Sequence, residues 1–276
     1  MREIGLIAGS GQFPIIFSKA ARAKGIKVYA IAHNGETDPR LAEFVDRMEW
    51  VYVGQVGRVI NFFRKEGVKD VVMAGAIAKA KMFSDFRPDL KALKLLTKMI
   101  HTHDDRLLRV FARALEKEGL RVYPSTFLLP ELLAPAGRWT VCKPSRSEMA
   151  DVNLGWRVAK EIGRLDIGQC VVVRNGSVLA VEAIDGTDAT IRRGGMLAKD
   201  RAVVVKVSKP NQDLRFDVPA VGVQTIETMH EVGAKVLAIE AGKSVVFDRE
   251  EMIRLADKYN ICIMARGDMD SKGISH

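Results

Sequence analysis

The chain is poor in cysteine, with three in 276 residues, Cys142, Cys170 and Cys262. They are odd in number, far apart and never in a C-x-x-C spacing. Neither a disulfide framework nor a structural zinc site is expected, and a reducing cytoplasm suits them. Long apolar runs are missing too, since none approaches the roughly 18–20 residues that cross a bilayer. The first apolar stretch, Ile4 to Ala8, is short and ends at a turn signal, so no secretory signal is expected. Aromatic residues make up only 7%. They do not interleave with basic residues as on a strand-binding face, which argues against a nucleic-acid module.

What is present is globular. Hydrophobic residues are 47% and charged residues 28%, and mean hydropathy is near zero, so disorder and fibrous repeats are excluded. At about 150 residues per domain, the length gives one large domain or two ordinary ones, able to bury a core without staples. The formal net charge is +9, from 43 Lys+Arg against 34 Asp+Glu. That charge is either a solvated basic surface or an attraction for anions such as phosphates, nucleic acid or an acidic membrane face.

The first half alternates strand and helix. Ile4 to Ala8, Val28 to Ala32, Trp50 to Val53, Val71 to Ala74 and Val122-Tyr123 read as strands. Pro14 suits a first helical turn, and Val56 to Lys65, Leu90 to Ile100 and Asp105 to Glu118 have helical spacing. Such alternation favours a parallel sheet covered on both faces, with ligands beyond the carboxyl ends of the strands. Gly9-Ser10-Gly11 stands at such an end. It reads as a phosphate or nucleotide contact at a helix N-terminus, or as a plain turn. A dinucleotide fingerprint is incomplete, because Pro14 replaces its third glycine and His33, not an acid, closes the second strand. His101-Thr102-His103-Asp104-Asp105 is either a metal-ligand cluster or a helix cap.

Pro130 to Pro144 holds three prolines and a glycine and marks the boundary between two domains, 1–134 and 135–276. Beyond it, Met149 to Arg164 reads as a helix. Cys170 to Val173 and Val178 to Glu182 read as a hairpin about Asn175-Gly176. Glu182, Asp185 and Asp188 either hold a hard cation or form an Asx-turn and cap before a helix over Ala189 to Arg193. Lys206 to Pro219 follows a β run. In an extended chain its Asp213, Arg215 and Asp217 share one face, offering two carboxylates for a metal or water and a guanidinium for phosphate. The alternative there is a surface ion-pair ladder. Thr225 to Val232 and Arg249 to Tyr259 are expected helices, and Val236 to Ile239, Gly242 to Phe247 and Ile261 to Met264 expected strands.

Several blocks carry a resemblance. They are Gly-Ser-Gly-Gln-Phe-Pro at 9–14, His-Asp-Asp-Arg-Leu-Leu at 103–108 and Leu-Asp-Ile-Gly-Gln at 165–169. They continue with Ala-Val-Glu-Ala-Ile-Asp-Gly-Thr-Asp at 180–188, Lys-Pro-Asn-Gln-Asp-Leu-Arg-Phe-Asp-Val-Pro at 209–219 and Ile-Glu-Ala-Gly at 239–242. Together they resemble the LpxI-type UDP-2,3-diacylglucosamine pyrophosphatases of lipid A synthesis. His103, Asp185 and Asn211 depart from the usual residues, and none of the three removes a carboxylate. The resemblance implies an α/β enzyme, with a Rossmann-like N-terminal domain on a parallel sheet, a separate α/β C-terminal domain and a substrate cleft between them. It implies Mg2+-dependent hydrolysis to 2,3-diacylglucosamine 1-phosphate (lipid X) and UMP, with water attacking the phosphorus nearer the sugar. A cytoplasmic homodimer in peripheral contact with the inner membrane is the further expectation.

On this footing Asp213 and Asp217 hold the metal or activate its water, and Glu182, Asp185 and Asp188 form a second carboxylate group. Lys209, Arg215 and Arg192 counter phosphate charge. Gly9, Ser10, Gly11 and Gln12 meet the uridine nucleotide, with Asp104, Asp105, Thr187 and Gln212 also on the substrate. The competing readings are a non-catalytic nucleotide-sugar or lipid-binding protein and an NAD(P)-dependent oxidoreductase, the latter motivated only by Gly9-Ser10-Gly11.

Overall fold

A computed structural model describes residues 1–77, 86–99, 107–215 and 217–267. They divide into two units, Met1–Pro130 with Asp213–Phe216, and Glu131–Gln212 with Asp217–His276.

The first unit carries five parallel strands: β1 (Glu3–Ala8), β2 (Lys27–His33), β3 (Arg47–Val51), β4 (Asp70–Ala74) and β5 (Arg121–Tyr123). Their order is β3-β2-β1-β4-β5. The helices between them are α1 (Phe13–Ala23), α2 (Val56–Lys65), α3 (Leu90–Met99) and α4 (Leu107–Lys117). Central β1 is buried from Ile4 to Ala8, as a strand covered on both faces must be. A Cβ at Gly5 would stand 2.6 Å from Phe63 of α2, so glycine there lets the helix lie close to the sheet. The expected strand at Trp50 to Val53 is instead β3, three residues earlier. As an edge strand it tolerates Arg47 and Glu49, which hid its start.

The second unit holds a six-stranded mixed sheet. Its strands are β6 (Gly137–Arg138), β7 (Cys170–Arg174), β8 (Ser177–Val181), β9 (Val203–Lys206), β11 (Val236–Glu240) and β13 (Cys262–Arg266). The order is β6-β13-β11-β9-β7-β8, with β9, β11 and β13 mutually parallel. β10 (Ala220–Val221) and β12 (Val245–Val246) form a separate parallel pair. One face, through Val172, Val204, Leu237 and Ile263, packs on α6 (Thr187–Ala198), α7 (Val223–Glu231) and α8 (Arg249–Lys258). The other, through Val171, Val205 and Ala238, packs on Val152, Trp156 and Ala159 of α5 (Arg146–Arg164).

α5 begins three residues before the expected Met149, because Ser145 and Glu148 close a capping box. The Asn175-Gly176 hairpin forms, with φ of 49° and 73° at its two central residues. The expected strand over Gly242 to Phe247 contracts to Val245–Val246, since Gly242 takes φ +70° in a turn. α6 runs past the expected Arg193 and through Gly194-Gly195, which the helix needs. A Cβ at Gly194 would lie 2.5 Å from Val172, and one at Gly195 2.2 Å from Val232.

Candidate functional site

In the first unit the strand order reverses between β1 and β4, and the Gly9-Ser10-Gly11-Gln12 turn sits at that switch, beyond the carboxyl end of β1. Gly9 N donates to Ala74 O at 2.8 Å. Ser10 N and Ser10 Oγ both donate to Ala76 O, at 2.6 and 2.9 Å. Ser10 is thereby bound to the chain after β4. A Cβ at Gly9 would fall 2.3 Å from Ala76 O, so the close approach demands glycine. Gly11, with φ +84°, turns the chain into α1. Gly11, Gln12, Ile16, Lys19, Arg40 and Phe44 border a groove of ≈ 550 Å³. His33, where a dinucleotide site would place its acid, turns inward. Its Nδ1 lies 2.9 Å from Ala8 O, and since a carbonyl only accepts, Nδ1 carries the proton. Burial pushes the His33 pKa down.

Asp213 and Arg215 group with this unit and with each other. Arg215 Nε and Nη2 donate to the two Asp213 oxygens at 2.9 and 2.8 Å, and Nη1 donates to Glu116 at 2.6 Å. Ser125 N donates to Arg215 O at 2.8 Å. The guanidinium fork holds the Asp213 carboxyl below the usual carboxylate range, and the carboxylate in turn raises the Arg215 pKa. This segment is a turn, not the expected extended run, and Asp217 groups with the second unit. Asp217 makes no side-chain hydrogen bond or ion pair among the described residues.

In the second unit, Glu182 follows β8 and is 7% exposed. Its oxygens accept from Thr187 Oγ1 at 2.7 Å and from Gln169 N at 2.9 Å. Asp185 accepts from Ala183 N at 3.1 Å and is ion-paired with Arg193, which holds its carboxyl below the usual range. Asp188 lies in the first turn of α6. Arg192 donates to Glu231 at 3.0 Å on the surface. Lys209 Nζ pairs with Asp166 at 2.5 Å. Gln212 Oε1 accepts from Lys209 N at 2.8 Å and Ser208 Oγ at 3.2 Å. No three His, Cys, Asp or Glu side chains gather as a metal-binding group among the described residues. Asp104 and Asp105 lie outside the described residues, as does the rest of the His101–Asp105 cluster.

Residues 3–132 match the LpxI N-terminal domain and residues 135–264 the LpxI C-terminal domain. A curated relative from Caulobacter vibrioides, named UDP-2,3-diacylglucosamine pyrophosphatase LpxI, is 36% identical over 275 residues, 96% of this chain and 97% of the relative. The chain belongs to the LpxI family. Solved structures give far weaker likenesses. The biotin carboxylase subunit of pyruvate carboxylase is 15% identical, with 67% of this chain and 39% of that one covered and a TM-score of 0.28. Kluyveromyces lactis urea carboxylase is 12% identical, with 62% and 12% covered and a TM-score of 0.29. These two carry no argument about an LpxI chain.

Around the LpxI candidate residues the structure adds a group that motif reading passed over. Glu240, the last residue of β11, is fully buried and accepts from Lys160, Lys243 and Ser208 N. Its signal was present as a lone acid at the end of the apolar run Val236 to Ile239, inside the Ile-Glu-Ala-Gly block.

Proposed function

We propose that the chain is a hydrolase that cleaves UDP-2,3-diacylglucosamine to 2,3-diacylglucosamine 1-phosphate and UMP. The observation that carries this reading is the 36% identity, over 96% of the chain, to the relative of that name. Water attacks the phosphorus nearer the sugar, the bond to the bridging oxygen breaks, and UMP leaves with that oxygen.

Magnesium is the proposed cofactor. It takes oxygen ligands, keeps several waters and is commonly bound through one or two carboxylates plus substrate phosphates. The donor set fits that pattern rather than a closed cage, because both Asp213 oxygens face Arg215 while Asp217 has no such partner among the described residues. Asp217 would hold the ion, with Asp213 as second donor if Arg215 turns to the substrate. Bound there, magnesium supplies charge neutralisation at the diphosphate.

The chain's own residues do the rest. Arg215 and Lys209 exchange their internal carboxylates for phosphoryl oxygens as charge builds up. Gly11 and Gln12 receive the uridine nucleotide at the start of α1, with Gly9 and Ser10 fixing the turn beneath it. Thr187 fixes Glu182, and Glu182, Asp185 and Asp188 stay the proposed second carboxylate group. Arg192, Asp104 and Asp105 complete the proposed substrate contacts, and Gln212 offers a neutral amide donor. The same reading carries two domains, 1–134 and 135–276, a homodimer and peripheral contact with a membrane.

The test is incubation of purified protein with UDP-2,3-diacylglucosamine and magnesium in oxygen-18 water. Label in the sugar 1-phosphate and none in UMP is expected. Saturable binding without product would replace the reading with a binding protein.

A further inference from the structure

Glu240 is 0% exposed at the carboxyl end of β11. A carboxylate removed from water in this way must be met by donors. Its Oε2 accepts from Ser208 N at 2.8 Å and Lys160 Nζ at 2.7 Å, and its Oε1 from Lys243 Nζ at 2.8 Å. Lys160 also donates to Ser208 O at 3.1 Å. The Glu240–Lys160 pair therefore grips both polar ends of Ser208.

Ser208 passes that constraint on. Gln212 Oε1 accepts from Ser208 Oγ and from Lys209 N. A backbone N–H can only donate, so the carboxamide oxygen must face this turn and the nitrogen must face away. Gln212 Nε2 is buried and has no hydrogen-bond partner among the described residues. A buried amide donor without an acceptor is unfavourable, so its fixed orientation calls for an acceptor that binding brings. A diphosphate offers acceptor oxygens only.

We infer that Glu240 is a positioning residue that acts through Ser208 and Lys209 to aim the Gln212 carboxamide at a phosphoryl oxygen of the substrate. This rests on the hydrolase reading above. Glu240 never touches substrate; it sets the turn that does.

The experiment is a kinetic cycle on the full chain with UDP-2,3-diacylglucosamine, measuring kcat and KM for Glu240→Gln, Gln212→Ala and the double variant. Each single change is expected to lower kcat/KM about tenfold, the scale of one lost donor to a charged group. The double variant is expected to lose no more than the worse single, because both act at one contact. Ser208→Ala, which removes only a hydroxyl, repeats the cycle should Glu240→Gln not fold. Gln212→Glu keeps the inward acceptor and replaces the donor by an anion, so KM should rise more than tenfold. Additive losses, Glu240→Gln turnover equal to the parent, or an unmoved KM in Gln212→Glu (a water filling the donor's place) would each overturn the inference while leaving the hydrolase reading intact. A parent protein that hydrolyses nothing overturns that reading and the inference with it.

Discussion

Asp213 and Asp217 are two aspartates four positions apart with different circumstances. Asp213 is locked in a guanidinium fork, whereas Asp217 has no partner among the described residues. Asp217→Asn should therefore lower kcat by at least about a hundredfold while the KM moves little, the pattern of a group that acts in the transition state. Equal turnover would defeat its assignment. Asp213 gives a pH prediction. Its folded pKa lies below the unfolded ~3.9, so its contribution to stability is fully present above that value and is lost as pH falls through the folded pKa. Asp213→Asn should cost about 1 kcal/mol in urea unfolding at neutral pH, for a partly solvated pair, and the gap to the parent should close in strong acid. In the sequence, the pairing of Asp213 with Arg215 stood only as the ion-pair alternative to a metal and phosphate face, and it was legible because both ends lie in one motif. The sequence could not show Glu240 at work, since its three donors come from residues 160, 208 and 243, joined only by folding. Burial also sorts the thiols. It pushes the Cys262 pKa up to about 11 and Cys170 well above its ordinary value. At mild alkaline pH a thiol reagent should label Cys142 alone in the native protein and all three cysteines after denaturation.

At the scale of elements, periodicity served best where one face is buried and the ends are capped. α2 over Val56–Lys65 was legible residue for residue, because Val59, Ile60 and Phe63 repeat at helical spacing. Edges and interruptions misled. β3 begins on charged residues since it has one neighbour, and α6 tolerates Gly194-Gly195 since Val172 and Val232 press against them. The hairpin was legible from Asn-Gly, yet its lock was not. Asp151, in the second turn of α5 and 2% exposed, accepts from Asn175 N at 2.9 Å and Gly176 N at 2.7 Å. This one carboxylate ties the turn to the helix. Asp151→Ala would leave two amides without their acceptor and is expected to cost about 2–3 kcal/mol, read as a fall in melting temperature. A variant melting with the parent would show that water replaces the carboxylate at no cost.

For the whole molecule, the chain passes from one unit to the other at Pro130–Glu131, where prolines and a glycine interrupt the alternation that builds a parallel sheet. The return of Asp213–Phe216 to the first unit was not legible, since no composition shift marks it. Among the described residues, no helix is long and apolar enough to cross a membrane. The proposed substrate carries two acyl chains, so the proposed peripheral membrane contact needs a force of its own. The net charge of +9 supplies a mechanism, since anionic headgroups attract basic surfaces at roughly 1 kcal/mol per nearby Lys or Arg. Such attraction fades when the screening length shrinks from about 8 Å at physiological ionic strength to about 3 Å at 1 M salt. The protein should therefore sediment with vesicles rich in anionic phospholipid at low salt, release at high salt, and ignore vesicles of zwitterionic lipid alone. Binding that is equal on both vesicle types, or that survives high salt, would assign the contact to apolar insertion instead of charge.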